Sequence, residues 1–306
     1  MSVEQKIIRL LGVPMDLGAD RRGVDMGPSG IRIAGVAESL RRLGHEVRDG
    51  GDLTVPAPES RNPGPTNAKY LPEIRTACDD LRVRVREAMD QGEVPLVLGG
   101  DHSIAIGTVS GVAEHLRAKE QKLGVLWVDA HADMNTPESS PSGNIHGMPL
   151  STLLGIGEES LVGLGGFSPK IEPQHVALIG IRNLDSAEKE IVRKSGVNAY
   201  TMRDIDERGM SAIVREAIEL VCDGTAGFHV SFDLDGMDPL DVPGVGTPVK
   251  GGINWRESNL LLEMAADSKK MVSLEITELN PILDDRNRSG RVAVEIASSA
   301  FGKSIL

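Results

Sequence analysis

The segment Asp129-Ala130-His131-Ala132-Asp133 sets two carboxylates around an imidazole at alternate positions, directly after the apolar run Leu123-Gly124-Val125-Leu126-Trp127-Val128. Such a run reads as a buried strand, and on an extended backbone residues i, i+2 and i+4 point the same way. Asp129, His131 and Asp133 are therefore expected on one face. Carboxylate, imidazole and carboxylate crowded at the end of a buried strand need a counter-charge, which a metal ion supplies. The pattern returns at His229-Val230-Ser231-Phe232-Asp233-Leu234-Asp235, where Asp233 and Asp235 share a face. A third apolar run, Val94 to Leu98, breaks at Gly99-Gly100 and delivers Asp101-His102-Ser103. One such cluster alone could be a solvated strand end or a helix cap. Three acid- and imidazole-bearing strand ends predict a metal site.

The candidate ligands are His102, Asp129, His131, Asp133, Asp233 and Asp235. They exceed what a tetrahedral zinc takes, and their oxygen majority suits a harder ion of higher coordination number, of which Mn²⁺ accepts imidazole best. Two ions fit this set better than one. Two metals about 3.5–4 Å apart share bridging carboxylates and lower the pKa of water from about 15.7 toward 7, so hydrolysis is the expected reaction class. Asp185, Glu188, Glu275 and Glu278 add further acid at strand ends without paired basic residues close in sequence. Such a wall repels a phosphate ester and holds a guanidinium or amine, which ranks a two-metal phosphatase below a hydrolase of a cationic substrate. Glu275 by itself reads as a surface acid, whereas Glu278 sits in a tight turn with Leu279-Asn280-Pro281. The polar stretch from Met134 to Pro149 starts at the candidate site and holds His146 near its end, which is where a recognition loop belongs. Its plain alternative is a flexible surface loop rich in Ser and Pro.

These groups must be positioned by regular elements. Strands are expected at Ile7–Val13, Glu46–Asp49, Val94–Leu98, Leu123–Val128, Val176–Ile181, Val197–Thr201, His229–Asp235 and Met271–Ile276. Helices are expected at about 28–43, 68–91, 103–119, 186–194, 210–222, 255–266 and 290–301. The alternation has no composition break, so residues 1–306 are read as a single α/β domain around a mostly parallel sheet of about eight strands flanked by helices. In open α/β sheets ligands bind beyond the carboxyl ends of the strands, where every unusual polar segment falls. Two glycine-rich stretches fail as nucleotide sites. Gly18 to Gly23 is followed by Val24 and Asp25 instead of Lys and Ser or Thr, and Gly155-Ile156-Gly157 lacks its third glycine and follows a helical stretch.

A chain of 306 residues can bury about three quarters of its unfolded surface. The net charge of -12 and the aromatic content of 3% exclude nucleic acid as a partner. Cys78 and Cys222 lie too far apart for a CxxC pair, which fits a reducing compartment. The N-terminal Met1 to Lys6 lacks a leader's pattern and no run of about 18 apolar residues occurs, so a cytoplasmic protein without a membrane partner is expected.

Gly99-Gly100-Asp101-His102-Ser103, Asp129-Ala130-His131-Ala132-Asp133 and Ser231-Phe232-Asp233-Leu234-Asp235-Gly236-Met237-Asp238-Pro239 together resemble the signature motifs of the ureohydrolase family, the arginases and agmatinases. The resemblance runs from Gly12-Val13-Pro14-Met15-Asp16 to about Pro281. Within that family, Asn135-Thr136-Pro137, Ser142-Gly143-Asn144-Ile145-His146-Gly147 and Pro243-Gly244-Val245-Gly246-Thr247-Pro248-Val249 are similar to the arginases.

The resemblance implies a three-layer arginase-like fold with two Mn²⁺ per subunit. His102, Asp129, Asp133 and Asp233 would hold one ion, Asp129, His131, Asp233 and Asp235 the other, with Asp129 and Asp233 bridging. A hydroxide between the ions would attack the guanidinium carbon of L-arginine, giving L-ornithine and urea. Asp133 would pass a proton to the leaving amine, His146 would shuttle protons, and Glu278 would orient the guanidinium. Asn135 and Ser142 would bind the α-carboxylate with Ser140 and Asn144 nearby, Asp185 and Glu188 would hold the α-amine, and Thr247 would join the substrate contacts. Asn183 departs from the aspartate that other arginases often carry there. A homo-oligomer, trimer or hexamer, is implied as well. The alternatives are an agmatinase or another guanidine ureohydrolase, and a catalytically silent metal-binding member.

Overall fold

Ile8 and Leu10 point to one face of the first strand, Leu11 and Val13 to the other, and all four are buried. A strand that is apolar on both faces needs a layer against each, which is the requirement of a parallel sheet covered by helices. The computed structural model describes residues 4–304 and has that architecture. Met1 to Val3, part of the segment read for a leader, lie outside the described residues.

Eight strands form one sheet: β1 (Ile7–Val13), β2 (Glu46–Asp52), β3 (Val94–Gly99), β4 (Gly124–Val128), β5 (Val176–Ile181), β6 (Asn198–Thr201), β7 (Phe228–Asp233) and β8 (Met271–Thr277). Their order is β2-β1-β3-β8-β7-β4-β5-β6, and every pairing is parallel. The mostly parallel sheet expected from the alternation is thus entirely parallel. The helices are α1 (Gly27–Ile33), α2 (Val36–Arg42), α3 (Leu71–Asp90), α4 (Ala105–Arg117), α5 (Pro149–Leu153), α6 (Glu159–Val162), α7 (Ser186–Ser195), α8 (Met202–Arg208), α9 (Met210–Cys222), α10 (Trp255–Asp267) and α11 (Arg288–Ala300). Residues of α1, α2 and α8 to α11 build the core on one face, and those of α3 to α7 build it on the other. No helix among the described residues is long and apolar enough to cross a membrane.

Three local departures from the sequence reading have plain causes. The helix expected over 28–43 is two helices, because Gly35 takes φ 93° and breaks the turn between α1 and α2. Helix α8 was not expected, yet Thr201 and Asp204 form a reciprocal capping box at its start. Strands β4 and β7 end at Val128 and Asp233, earlier than the motifs that follow them.

At the end of β3 the chain passes close under the loop after β1. Gly100 N donates to Val13 O at 3.1 Å and Asp101 N to Met15 O at 2.8 Å. A Cβ at Gly100 would lie 2.3 Å from Met15 O, so only glycine fits this crossing. Gly100→Ala is expected to destabilise the protein by roughly 1–3 kcal/mol, the range for overpacking a tight interior. Chemical denaturation checks this, and an unchanged unfolding midpoint would show that the two loops part freely.

Candidate metal centre

β3 and β4 stand three positions apart in the sheet, about 14 Å at strand spacing. The turns that follow them must therefore fold inward over β8 and β7 for His102 and Asp129 to meet. His102 begins a short 3-10 turn, Val128 ends β4, and Asp129 to Asp133 form an irregular loop. The expectation that Asp129, His131 and Asp133 share one face of a strand is thus corrected. They converge because the loop coils back, and Asp133 takes a left-handed φ of 53°. Asp235 likewise lies in a 3-10 turn after β7 and not on the strand itself.

The convergence is close. His102 Nδ1 lies 3.1 Å from Asp129 Oδ2, 3.0 Å from Asp133 Oδ2 and 3.0 Å from Asp233 Oδ2. His131 Nδ1 lies 3.4 Å from Asp129 Oδ1 and 3.2 Å from Asp235 Oδ2. Two groups, His102 with Asp129 and Asp133, and Asp129 with His131 and Asp235, each bring their ligand atoms within 4.8 Å of one another. Asp129 belongs to both and turns one oxygen to each imidazole. Asp233 faces His102 with one oxygen and accepts the backbone N–H of Asp235 on the other at 2.7 Å.

Such crowding perturbs every proton. Burial, then the neighbouring Asp129 charge, pushes Asp133 up to about 6. Burial together with Asp235 and Asp129 drives Asp233 well above the carboxylate range. His131 resists burial because Asp235 and Asp129 face it, and is pushed up to about 12. His102 is likewise raised, against burial, by Asp129, Asp133 and Asp233. The cluster carries more negative charge than its two imidazoles offset, as a cation site does.

Surrounding contacts fix the imidazole. His102 Nε2 meets Ser231 Oγ at 2.7 Å, and Ser231 donates its own proton to Glu275 Oε1 at 2.7 Å. The hydroxyl must then accept from Nε2–H. Nδ1 is left buried without a hydrogen-bond partner among the described residues, facing three carboxylate oxygens. An orphaned ring nitrogen with a carboxylate cage, its other nitrogen anchored, fits a metal ligand. Glu275 is fully buried, which overturns the reading of it as a surface acid. It pairs with Ser231 across β7 and β8 and lies 3.2 Å from His229 Nε2. His229 holds its carboxyl below the usual range despite burial. Trp127 stacks on the His102 ring at 4.3 Å and donates Nε1–H to Asp129 Oδ2 at 3.0 Å. Arg182 donates to the carbonyls of Asp235, Gly236, Met237 and Val249, pinning the loop after β7. Sequence reasoning missed these supports, although Trp127 stands two residues before Asp129 and Ser231 two before Asp233.

A cavity of about 220 Å³ opens over the cluster, lined by His131, Asp133, Asn135, His146, Asp185, Glu188, Asp233, Asp235 and Thr247 among others. Asn135 Nδ2 donates to Asp185 Oδ2 at 2.8 Å, and Asp185 caps α7. Glu188 is buried, accepts Met134 N–H at 3.1 Å, and is pushed up to about 7 by burial and then by Asp133. Thr247 donates to Asp235 Oδ2 at 2.7 Å, so its hydroxyl is directed at a candidate ligand. Glu278, buried with φ 64°, accepts from His102 N at 2.9 Å and lies 3.2 Å from His146 Nδ1. Asn144 lines an adjoining cavity of about 440 Å³ with His146, Thr247 and Glu278. Ser140 and Ser142 line neither. Their hydroxyls accept from Gly143 N at 2.9 Å and Asn144 N at 3.2 Å, which leaves each O–H proton to donate. Asn183 is exposed at the rim of the first cavity.

Residues 6–302 match the sequence profile of the arginase family. The chain belongs to the arginase family. It is 50% identical over 302 residues to an arginase of Bacillus caldovelox, covering 98% of this chain and all of that protein. The solved structure of an arginase from the same organism superposes with a TM-score of 0.95 at 50% identity, over 98% of this chain and 100% of that one. A structure of Entamoeba histolytica arginase in complex with L-ornithine superposes with a TM-score of 0.90 at 32% identity, over 99% and 100%. The chain is accordingly a hydrolase of the arginase type.

Two substitutions separate ligand from support in this arginase-type centre. Asp233→Ala should abolish metal uptake and activity together, and full metal content with wild-type turnover would contradict its place in the cage. Ser231→Ala should weaken metal affinity about 10–100-fold, the usual cost of losing a partner behind a ligating histidine. Titration calorimetry of the metal-stripped protein reads this, and unchanged affinity would show that Ser231 does not orient His102.

Proposed function

We propose that this chain hydrolyses the guanidinium group of L-arginine to L-ornithine and urea, using two Mn²⁺ ions held by His102, Asp129, Asp133 and Asp233 and by Asp129, His131, Asp233 and Asp235. The observation that carries the reading is the orphaned Nδ1 of His102 inside a carboxylate cage, two of whose acids, Asp133 and Asp233, line the cleft. Bound manganese would supply Lewis acidity and ease the deprotonation of water at neutral pH. The oxygen-rich donor set favours it over zinc.

The chain's own residues do the rest. Glu278, a buried acid, orients the guanidinium. Asp133, beside the place where water would be deprotonated, takes up that proton and passes it to the leaving amine. His146 is part-exposed; burial lowers its proton affinity but Glu278, then Asp133 and Asp101, outweigh this and push it up to about 9, which suits exchange with solvent. Asn135 keeps one amide proton for the substrate carboxylate beyond that given to Asp185. Ser142 adds its hydroxyl proton, with Ser140 and Asn144 close by, while Asp185 and Glu188 receive the α-ammonium and Thr247 closes the side of the cleft. The Entamoeba relative, solved with L-ornithine, supports the product end of this reading.

On the same reading the chain works as one catalytic domain and, as the family resemblance implies, as a homo-oligomer. A cytoplasmic setting suits its free cysteines, Cys78 being buried.

Urea release from L-arginine, agmatine and 4-guanidinobutyrate, by manganese-loaded and metal-stripped protein, tests the proposal. L-arginine should be preferred over agmatine by roughly 10⁴-fold, because agmatine leaves the carboxylate donors unpaired. Comparable turnover of the two would move the chain to the agmatinase branch, and no urea from any of them would favour a silent binder.

A further inference from the structure

Asn144 has an amide whose two ends do opposite chemistry, and a residue outside the recognition loop decides which end faces where. Lys69 Nζ lies 3.0 Å from Asn144 Oδ1 and 2.7 Å from Asp20 Oδ1. An ammonium can only donate, so the oxygen of the Asn144 amide is turned to Lys69 and its NH₂ is turned away. Asp20 and Asn144 both line the 440 Å³ cavity that meets the metal cleft at His146 and Thr247. Asn144 is buried, and its NH₂ also acts on Asp20, so one amide proton serves that carboxylate and the other is left for the cavity. The backbone is tied as well: Lys69 N donates to Gly143 O at 3.0 Å.

We propose that Lys69 is a specificity-determining positioning residue, which locks the Asn144 amide with its NH₂ toward the cavity so that Asn144 donates to the carboxylate end of a guanidine amino acid. The inference rests on the L-arginine reading given above and deepens it. A substrate carboxylate needs donors, and an asparagine free to rotate presents oxygen as readily as NH₂. The Lys69 bond removes that choice without a covalent constraint. The same ammonium offsets Asp20, whose carboxyl it holds below its ordinary range, with Asn144 adding to the effect after burial takes part of it back. Without Lys69, an uncompensated Asp20 carboxylate would stand close to the incoming carboxylate and repel it.

Steady-state kinetics on L-arginine and agmatine, for wild type, Lys69→Met, Lys69→Arg and Asp20→Asn, test this. In Lys69→Met the KM for L-arginine should rise roughly tenfold, the loss of one hydrogen bond to a charged group. Its kcat should hold, because the metal cage is untouched, and its agmatine kinetics should not move. Lys69→Arg, which still donates to Oδ1, should restore most of the loss. Asp20→Asn, which keeps the Lys69 to Asn144 bond and removes the acid beside it, should not raise the L-arginine KM. Manganese content and melting temperature of each variant report whether the loop has simply collapsed. A wild-type KM in Lys69→Met, or equal losses on both substrates, would overturn the positioning role while leaving the L-arginine reading intact. A wild-type enzyme without preference for L-arginine would instead sink the substrate reading, and this inference with it.

Discussion

The buried meeting of four carboxylates and two imidazoles at the carboxyl ends of β3, β4 and β7 governs the structure around it. Imidazole–carboxylate contacts of 3.0–3.4 Å gather the four acids around two rings, in an interior where like charges repel strongly. The protein can hold them only by raising proton affinities or by offering cations. Both responses are visible, in the upward displacement of Asp133 and Asp233 and in the imidazoles that face them. A divalent pair would relieve the same tension more fully, since each ion brings two charges to a site that the two imidazoles only partly balance.

That tension has to be resisted by the scaffold. The stack of Trp127 on His102, the Ser231 and Glu275 anchor, and the fan of Arg182 bonds all act on residues of the cluster or their neighbours. Two of the site's acids, Asp133 and Glu278, sit in left-handed backbone conformations, which cost non-glycine residues energy and persist only where the surroundings over-determine them. Asp133 is held because its carbonyl receives Leu150 N at the start of α5, and Glu278 because its N–H binds Gly100 O. The crossing of chains at Gly100 therefore couples the turn carrying His102 to the turn carrying Glu278.

Much of this was legible in the sequence because it is local. Apolar runs ending in acids, a helix after each strand and glycine pairs at turns depend on neighbours along the chain. The six candidate ligands were found that way, although the strand-face argument that grouped Asp129, His131 and Asp133 is not how they meet. What was not legible is set by sheet order. Glu275 reads as a surface acid until β8 is known to lie beside β7, where the register sets it opposite Ser231 and near His229. The Lys69 contacts with Asp20 and Asn144 span loops far apart in sequence, with no periodicity to announce them. Gly35 carries a visible signal for the break between α1 and α2, but the amphipathic pattern through it is continuous enough to hide it.

The cleft also has to reconcile two opposite ends. A wall of acids attracts a guanidinium and an ammonium, and the same field repels any carboxylate that arrives with them. Glu188, raised to about 7 by burial and Asp133, carries less than a full charge at neutral pH and softens that field where the head of a zwitterion would lie. On the proposed reading, the loop from Asn135 to His146 would meet the remaining repulsion with neutral donors, amide and hydroxyl, instead of a second cation. A buried arginine or lysine there would pair with the acids already present and close the cleft on itself. Lys69 avoids this by standing outside the loop, part-exposed and satisfied by Asp20, so that its charge orients Asn144 without lining either cavity. On the L-arginine reading, selectivity for an amino acid over its decarboxylated amine would follow from donors that cost little when occupied and much when left empty.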